Sequence, residues 1–405
     1  MASRFWVPGG NGNWNSTTNW SASSGGSSGA SVPSLSLDAI FDGNSGSGTV
    51  TINISANCNN FDSSAFTGTI SGTATLGVAS SFTLGAGHVW SATSTLIMKG
   101  AGTNATYTIN SAGHNIGNQL TWNTPPGSNL TYNFVNDFIS TARFNDINDG
   151  TSVNTIKFNG HNSQFQCFLT GNNVTTNNDD IIGGSGTMTL VGPPISGSPS
   201  YIYFNNNIAS FGANNDFSAS TIVIQSTSNA GWVAVANVAT ETIGTLYIKS
   251  STGVLPFTPT TPTKIGTLKI DGGATIEGIS SAANSGGYIS IDQVVSNGSA
   301  GNLAGLNNAQ NTGGPMSISS YTGNQIVTDY MSISGITFTG AKWYAGANSV
   351  NGGNNNGIIF SGPPTPGHGS NPFHPIEPII RSLLFASPGV PTQDNLNFLD
   401  ATNWE

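Results

Sequence analysis

The chain has 405 residues, of which 9 are Lys or Arg and 18 are Asp or Glu; the formal net charge is −9 and only 7% of residues are charged. A typical soluble domain is about 25% charged, and here Gly (53 residues), with Asn, Ser and Thr, takes that share. So few cations cannot make the basic stripe of a nucleic-acid binder, the scarcity of Glu, Lys and Arg excludes long helices, and no run of 18 apolar residues is present to cross a membrane as a helix.

The first stretch, residues 1–48, opens without the apolar core of a secretory signal. This predicts assembly in a cytoplasm. Trp6, Trp14 and Trp20 sit there in a field of Gly, Asn and Ser. A stack of coils exposes apolar core and unpaired backbone at its ends, so this segment is expected to cap or anchor the body.

From 49 to 340 short runs of alternating apolar and polar residues recur, the signature of half-buried strands. Val50, Ile52 and Ile54 begin the series; Phe82-Thr83-Leu84, Leu96-Ile97-Met98, Leu130 to Phe134, Met188-Thr189-Leu190 and Ile222-Val223-Ile224 continue it. Gly, Asn and Ser clusters between them supply turn conformations. Ile243-Gly244-Thr245-Leu246-Tyr247-Ile248-Lys249 returns 22 residues later as Ile265-Gly266-Thr267-Leu268-Lys269-Ile270-Asp271. A looser echo pairs Ser71 to Leu76 with Ser185 to Leu190. A period in the low twenties fits one coil of a parallel β-solenoid, and the body would hold roughly a dozen coils stacked ~4.8 Å apart. The fold expected is all-β, a right-handed parallel β-solenoid (β-helix); antiparallel β-sandwich or jelly-roll domains are the alternative. Cys58 and Cys167 form no CxxC pair and read as buried free thiols.

Residues 341–405 comprise a closing coil, a loop and a Pro-rich arm. Proline at the density found between Pro363 and Pro391 favours an extended segment. The arm carries the apolar positions Ile376, Leu383, Leu384 and Phe385, and the chain ends near Trp404. These, with the three N-terminal tryptophans, are the candidate assembly residues, the arm docking on a neighbouring subunit.

Two stretches carry a resemblance. Trp6-Val7-Pro8-Gly9-Gly10-Asn11-Gly12-Asn13-Trp14, followed by Asn19-Trp20, Val32-Pro33 and Asp38-Ala39-Ile40-Phe41-Asp42, resembles the opening of Gly/Asn-rich β-solenoid proteins encoded by tailed bacteriophages. A related opening occurs in autotransporter-like bacterial surface proteins. Tyr330 to Ser334, with Ala341-Lys342-Trp343-Tyr344 and the Asn/Gly run to Gly357, is similar to a closing coil of the same phage proteins. The resemblance implies a virion structural protein, a tail fibre, spike or capsid-decoration appendage. It further implies a homotrimer contacting other virion proteins.

Tailspike solenoids of this kind are often glycan-cleaving, which requires two carboxylates about 5–9.5 Å apart. Asp146, Asp149, Asp179, Asp180, Asp216, Glu241 and Glu277 are the candidates, and no spacing singles out a pair. Turn-capping is the ordinary use of such residues. Asp146 to Gly150 is loosely like a calcium loop but lacks the full pattern. His368 and His374 have no Cys or acid at ligand spacing, and His88, His114 and His161 are isolated. Trp343, Tyr344 and Trp232, with Tyr201 as a further option, are aromatic candidates for stacking on a host-surface glycan. No catalytic residue, metal or cofactor is assigned. The expectation is a non-enzymatic virion component that binds no nucleic acid and inserts in no membrane. A glycan-degrading or glycan-binding tailspike and a bacterial surface adhesin are the alternatives.

Overall fold

Alternation of buried and outward residues turns the short apolar runs into strands. In Thr49–Ile52, Val50 and Ile52 point inward while the threonines face out. The chain is seen here in a computed structural model. It describes residues 2–93, 95–117, 119–146, 152, 154–165, 168–170, 180–191, 202–205, 216–225, 233–236, 242–249, 254–257, 263–278, 288–308 and 316–363. Residues 1–362 form one compact unit and 363–405 another, which apart from Pro363 lies outside the described residues.

The strands stack as a parallel β-solenoid. The longest sheet holds thirteen strands, from Ala56–Cys58 to Val350–Asn351. A nine-stranded sheet ends on Trp20–Ser21 at one side and Asp180–Ile182 at the other, and a ten-stranded sheet runs from Asn115–Ile116 to Ile336–Thr339. The early coils place one strand on each of three sides. Beyond Asp180–Ile182 the nine-stranded sheet stops and longer strands take over, such as Phe217–Ile224, Thr242–Ile248 and Thr263–Asp271. Among the described strands every sheet pairing is parallel except that of Ala2–Trp6 with Trp20–Ser21. That pattern sets aside the sandwich alternative. The one helical element among the described residues is a 3₁₀ turn at Thr17–Asn19.

In-register stacking makes columns of like residues. Leu76, Leu96, Leu120 and Phe144 follow one another along one side of the core. Ile222, Leu246, Leu268 and Val294 form a second column, its first three members fully buried. The 22-residue echo is this stacking: Ile243 lies on Ile265, Thr245 on Thr267, Leu246 on Leu268 and Ile248 on Ile270. The looser echo has a different origin. Leu76 belongs to the thirteen-stranded sheet and Leu190 to the ten-stranded one, so the repeated letters occupy different sides of the coil. Ile54 also departs from its expected place. The strand stops at Ile52, Asn53 bonds to Asn15 on the preceding coil at 3.0 Å, and Ile54 is left 42% exposed at the corner.

Stacking extends past the expected bounds of 49 and 340. Ala2–Trp6 pairs in parallel with Leu37–Ile40, which pairs with Phe61–Ser63, so the N-terminal stretch supplies coils of its own. At the other end Trp343–Tyr344 pairs with Ile358–Ile359. Glycine matters where coils nearly touch: a Cβ on Gly48 would overlap the backbone of Gly10, and one on Gly68 the carbonyl of Gly48.

Leu246→Ala is expected to cost about 2–5 kcal/mol through the cavity it leaves in its column. Thr245→Ala, one residue away and facing outward, should stay within about 0.5 kcal/mol. Thermal and denaturant unfolding of the two variants measures the contrast.

Candidate functional surfaces

The aromatic end is built first. Trp6, Trp14 and Trp20 are 0%, 1% and 0% exposed. Trp20 meets Trp6 edge-on at 5.2 Å and Trp14 at 5.0 Å, and the Trp20 indole N–H donates to the Trp14 carbonyl at 2.8 Å. Trp14 then stacks on Phe61 at 6.4 Å and Phe61 on Phe82 at 5.3 Å, continuing the rings down the core. Large rings in offset and edge-on contact fill the core at this end of the stack. The tryptophans therefore seal this chain's own core. Their expected role as assembly contacts is corrected by that burial, because no ring face remains for a neighbour. Cys58 lies in the same core as a free thiol, and burial pushes its pKa well up. Cys167 lies outside the described residues.

Polar ladders run along the corners. Asp38 accepts from the side chains of Asn59 at 2.7 Å and Asn60 at 2.8 Å, one coil on, and from Ser3 at 3.2 Å, one coil back. Ser80 donates to Asn59 at 2.9 Å, the backbone of Ser81 donates to Asn60 at 3.0 Å, and Thr108 N–H reaches Ser81 at 3.0 Å. Burial of Asp38 raises its pKa, but the bonds from Asn59, Asn60 and Ser3 outweigh it and hold the carboxyl below its ordinary value. A second ladder joins Asn110, Asn136, Asp137, Asn162 and Thr187. Neutral amides can repeat at this spacing where like charges would repel.

Titratable groups serve these ladders and turns. Asp216 accepts from the backbone N–H of Ser218 at 2.9 Å and from its hydroxyl at 2.6 Å, and those bonds lower its pKa. Asp329 accepts from Asn348 backbone and side chain at 2.9 and 2.7 Å. His161 Nδ1 lies 3.9 Å from Asp137, the one close acid–base approach among the described residues. Of the glycosidase candidates, Asp149, Asp179 and Glu241 lie outside the described residues, as does most of the loop from Asp146 to Gly150. Asp146, Asp180 and Glu277 are placed only as strand residues. Among the described residues no group of three or more His, Cys, Asp and Glu could hold a metal. His368 and His374 lie outside them.

The aromatic candidates part company. Trp343 and Tyr344 are 2% and 5% exposed. Trp343 packs on Phe338 at 4.9 Å and donates its indole N–H to the Thr339 carbonyl at 3.0 Å. The expectation that they stack on a sugar is therefore corrected, since both lie in the wall of the closing coil. Trp232 and Tyr201 lie outside the described residues, as do Ile376, Leu383, Leu384, Phe385 and Trp404. A feature that single-position reading missed is an outward cluster on the ten-stranded sheet. Tyr247 donates its hydroxyl to Asp271 at 2.8 Å, Asn297 donates to the same oxygen at 2.7 Å, and Lys269 lies 4.4 Å from the Tyr247 ring centre. The ammonium is within cation–π reach. The signal was present in the 22-residue echo, which stacks Tyr247 directly on Lys269.

His88 is buried at 4% exposure, stacked on His114 at 4.7 Å and hydrogen-bonded to Ser63 at 2.9 Å. Burial lowers its pKa to about 4. No protein-family model, curated protein or solved structure matches the chain.

A His whose folded pKa is below its unfolded value must take up a proton on unfolding, so stability falls as pH drops from about 6.5 towards 4. His88→Gln is expected to flatten the melting temperature across that window. Melting curves at half-unit steps between pH 4 and 7 measure it.

Proposed function

We propose that this chain is a non-enzymatic structural protein of a tailed-bacteriophage virion. Its place is that of a tail-fibre, spike or capsid-decoration appendage, assembled in the host cytoplasm and carried outside on the particle. The observation that carries the reading is how the stack is held together. Apolar columns, backbone ladders and neutral Asn/Ser/Asp corners do the work, and a single acid–base approach exists among the described residues. Screening by salt weakens exposed ion pairs but leaves packing and backbone pairing in place. Such a body suits a particle that meets media of changing ionic strength. The opening and closing stretches that resemble phage solenoid proteins add the specific context. The described carboxylates with assigned partners act as hydrogen-bond acceptors within ladders and turns, which is a structural use. A homotrimer and contacts with other virion proteins follow from the same resemblance, with host-surface glycan as a further partner.

Antibody against the purified chain, gold-labelled and applied to intact particles, is expected to mark a fixed position on tail or head. Washed particles that carry no label, while the free protein is found in the lysate, would refute the virion role.

A further inference from the structure

The few cations of this chain are unevenly distributed. Among its 9 Lys and Arg residues, Lys264 and Lys269 lie on the strand Thr263–Asp271, and Lys249 directly follows the neighbouring strand Thr242–Ile248. Parallel register then builds a grid on the outward face of the ten-stranded sheet. Tyr247 lies on Lys269 and Lys269 on Val295; two positions along, Asp271 lies on Asn297. Lys249 stands two residues beyond Tyr247, with the buried Ile248 between them pointing the other way. The grid measures roughly 7 by 10 Å, from ~3.3 Å per residue and ~4.8 Å per strand.

Hydrogen bonds fix the middle of the grid. Asp271 Oδ1 accepts from the Tyr247 hydroxyl at 2.8 Å and from Asn297 at 2.7 Å, and Asn297 also reaches the Tyr247 hydroxyl at 3.3 Å. The Lys269 ammonium lies 4.4 Å from the Tyr247 ring centre and that of Lys249 5.5 Å from it. Two ammonium groups thus converge on one ring, and among the described residues neither forms an ion pair with a carboxylate. Like charges gathered in this way repel, and each contact with the ring returns only about 0.5–1 kcal/mol at an exposed site. An anion placed there converts the repulsion into attraction. Beside the ammonium groups, Asp271 Oδ2 accepts from no described residue, which leaves it open to a hydroxyl donor. Val295, 38% exposed, adds apolar surface at the edge of the grid.

We propose that this face binds a carboxylated saccharide, its carboxylate meeting the Lys249 and Lys269 ammonium groups and its hydroxyls meeting Asp271 and Asn297. The surroundings select the class of anion. A net charge of −9, and Asp271 inside the grid, oppose a dense polyanion such as a nucleic acid. A lipid surface is held by clusters of about four to eight Lys or Arg, each contributing about 1 kcal/mol, which this pair of lysines does not make. An acidic sugar carries an isolated carboxylate among hydroxyls that both donate and accept. It therefore matches a face on which ammonium, carboxylate, amide and aliphatic groups stand side by side. The inference rests on the proposed contact with host-surface glycan for where the sugar is met. The site itself belongs to the purified chain, so failure to bind leaves the virion role to be decided by labelled particles.

Binding of the full-length chain to immobilised polygalacturonate, alginate, hyaluronate and polysialate, each beside its neutral methyl ester, tests the site. At least one acid form is expected to bind more tightly than its ester by about tenfold or more, as loss of charge-assisted hydrogen bonds implies. The double variant Lys249→Gln with Lys269→Gln should weaken that binding by a similar factor while leaving the far-ultraviolet circular dichroism unchanged. Lys99→Gln with Lys157→Gln, on other parts of the stack, should leave it as it was. Binding to none of the acid forms, equal binding of acid and ester, equally tight binding to dextran sulfate or single-stranded DNA, or indifference to the Lys249 and Lys269 changes would each overturn the proposal.

Discussion

Parallel pairing in register at ~4.8 Å is the constraint from which the other features follow. Each residue sits directly above its counterpart on the neighbouring coil, as Leu246 does over Leu268. Whatever side chain occupies a position must tolerate a near copy of itself above and below. Aliphatic and aromatic residues meet that demand inside; Thr, Ser and Asn meet it outside. Like charges do not, and the 7% charged content is the compositional trace. Acids are placed against neutral donors, as Asp38 is against Asn59 and Asn60 and Asp216 against Ser218. The stacked aromatic–cation pair Tyr247 and Lys269 obeys the same rule because the two are complementary.

A repeating ladder has no natural end, so the ends require their own solution. At the start the chain reverses, lays Trp20–Ser21 antiparallel on Ala2–Trp6, and fills the core with three tryptophans and Phe41. Antiparallel pairing stops the parallel series there and hides the rings at the same time. The closing coil uses Phe338 and Trp343 in the same capacity. The unequal treatment of the sides at the start, one sheet extended and another left on its edge strand, makes that end distinctive.

Much of the architecture was legible in the sequence because the constraint acts on sequence directly. The echo between Ile243–Lys249 and Ile265–Asp271 reports the register of two neighbouring coils, and period-2 alternation located strands such as Leu96–Met98. The echo of Ser71–Leu76 in Ser185–Leu190 carries no register, because Ser71 and Gly72 end one strand and Leu76 begins the next, whereas Thr187–Leu190 is a single strand on another side of the coil. Trp343 and Tyr344 were misplaced for a related reason. An aromatic beside a Gly/Asn loop looks exposed in one dimension, yet the strand it begins buries it against Phe338. The Tyr247 cluster joins residues 24 and 26 positions apart, a separation that only the coil length reveals.

Paired cysteines test the stacking most directly. Thr245→Cys with Thr267→Cys, and separately Tyr247→Cys with Lys269→Cys, lie opposite one another across adjacent coils, within the Cα separation of about 4.4–6.8 Å that a disulfide needs. Mild oxidation should close both pairs inside one chain, while the diagonal pair Thr245→Cys with Lys269→Cys, ~8 Å apart, should remain open. Closure of the diagonal pair in preference to the two direct ones, or failure of both direct pairs in folded protein, would contradict parallel in-register coils.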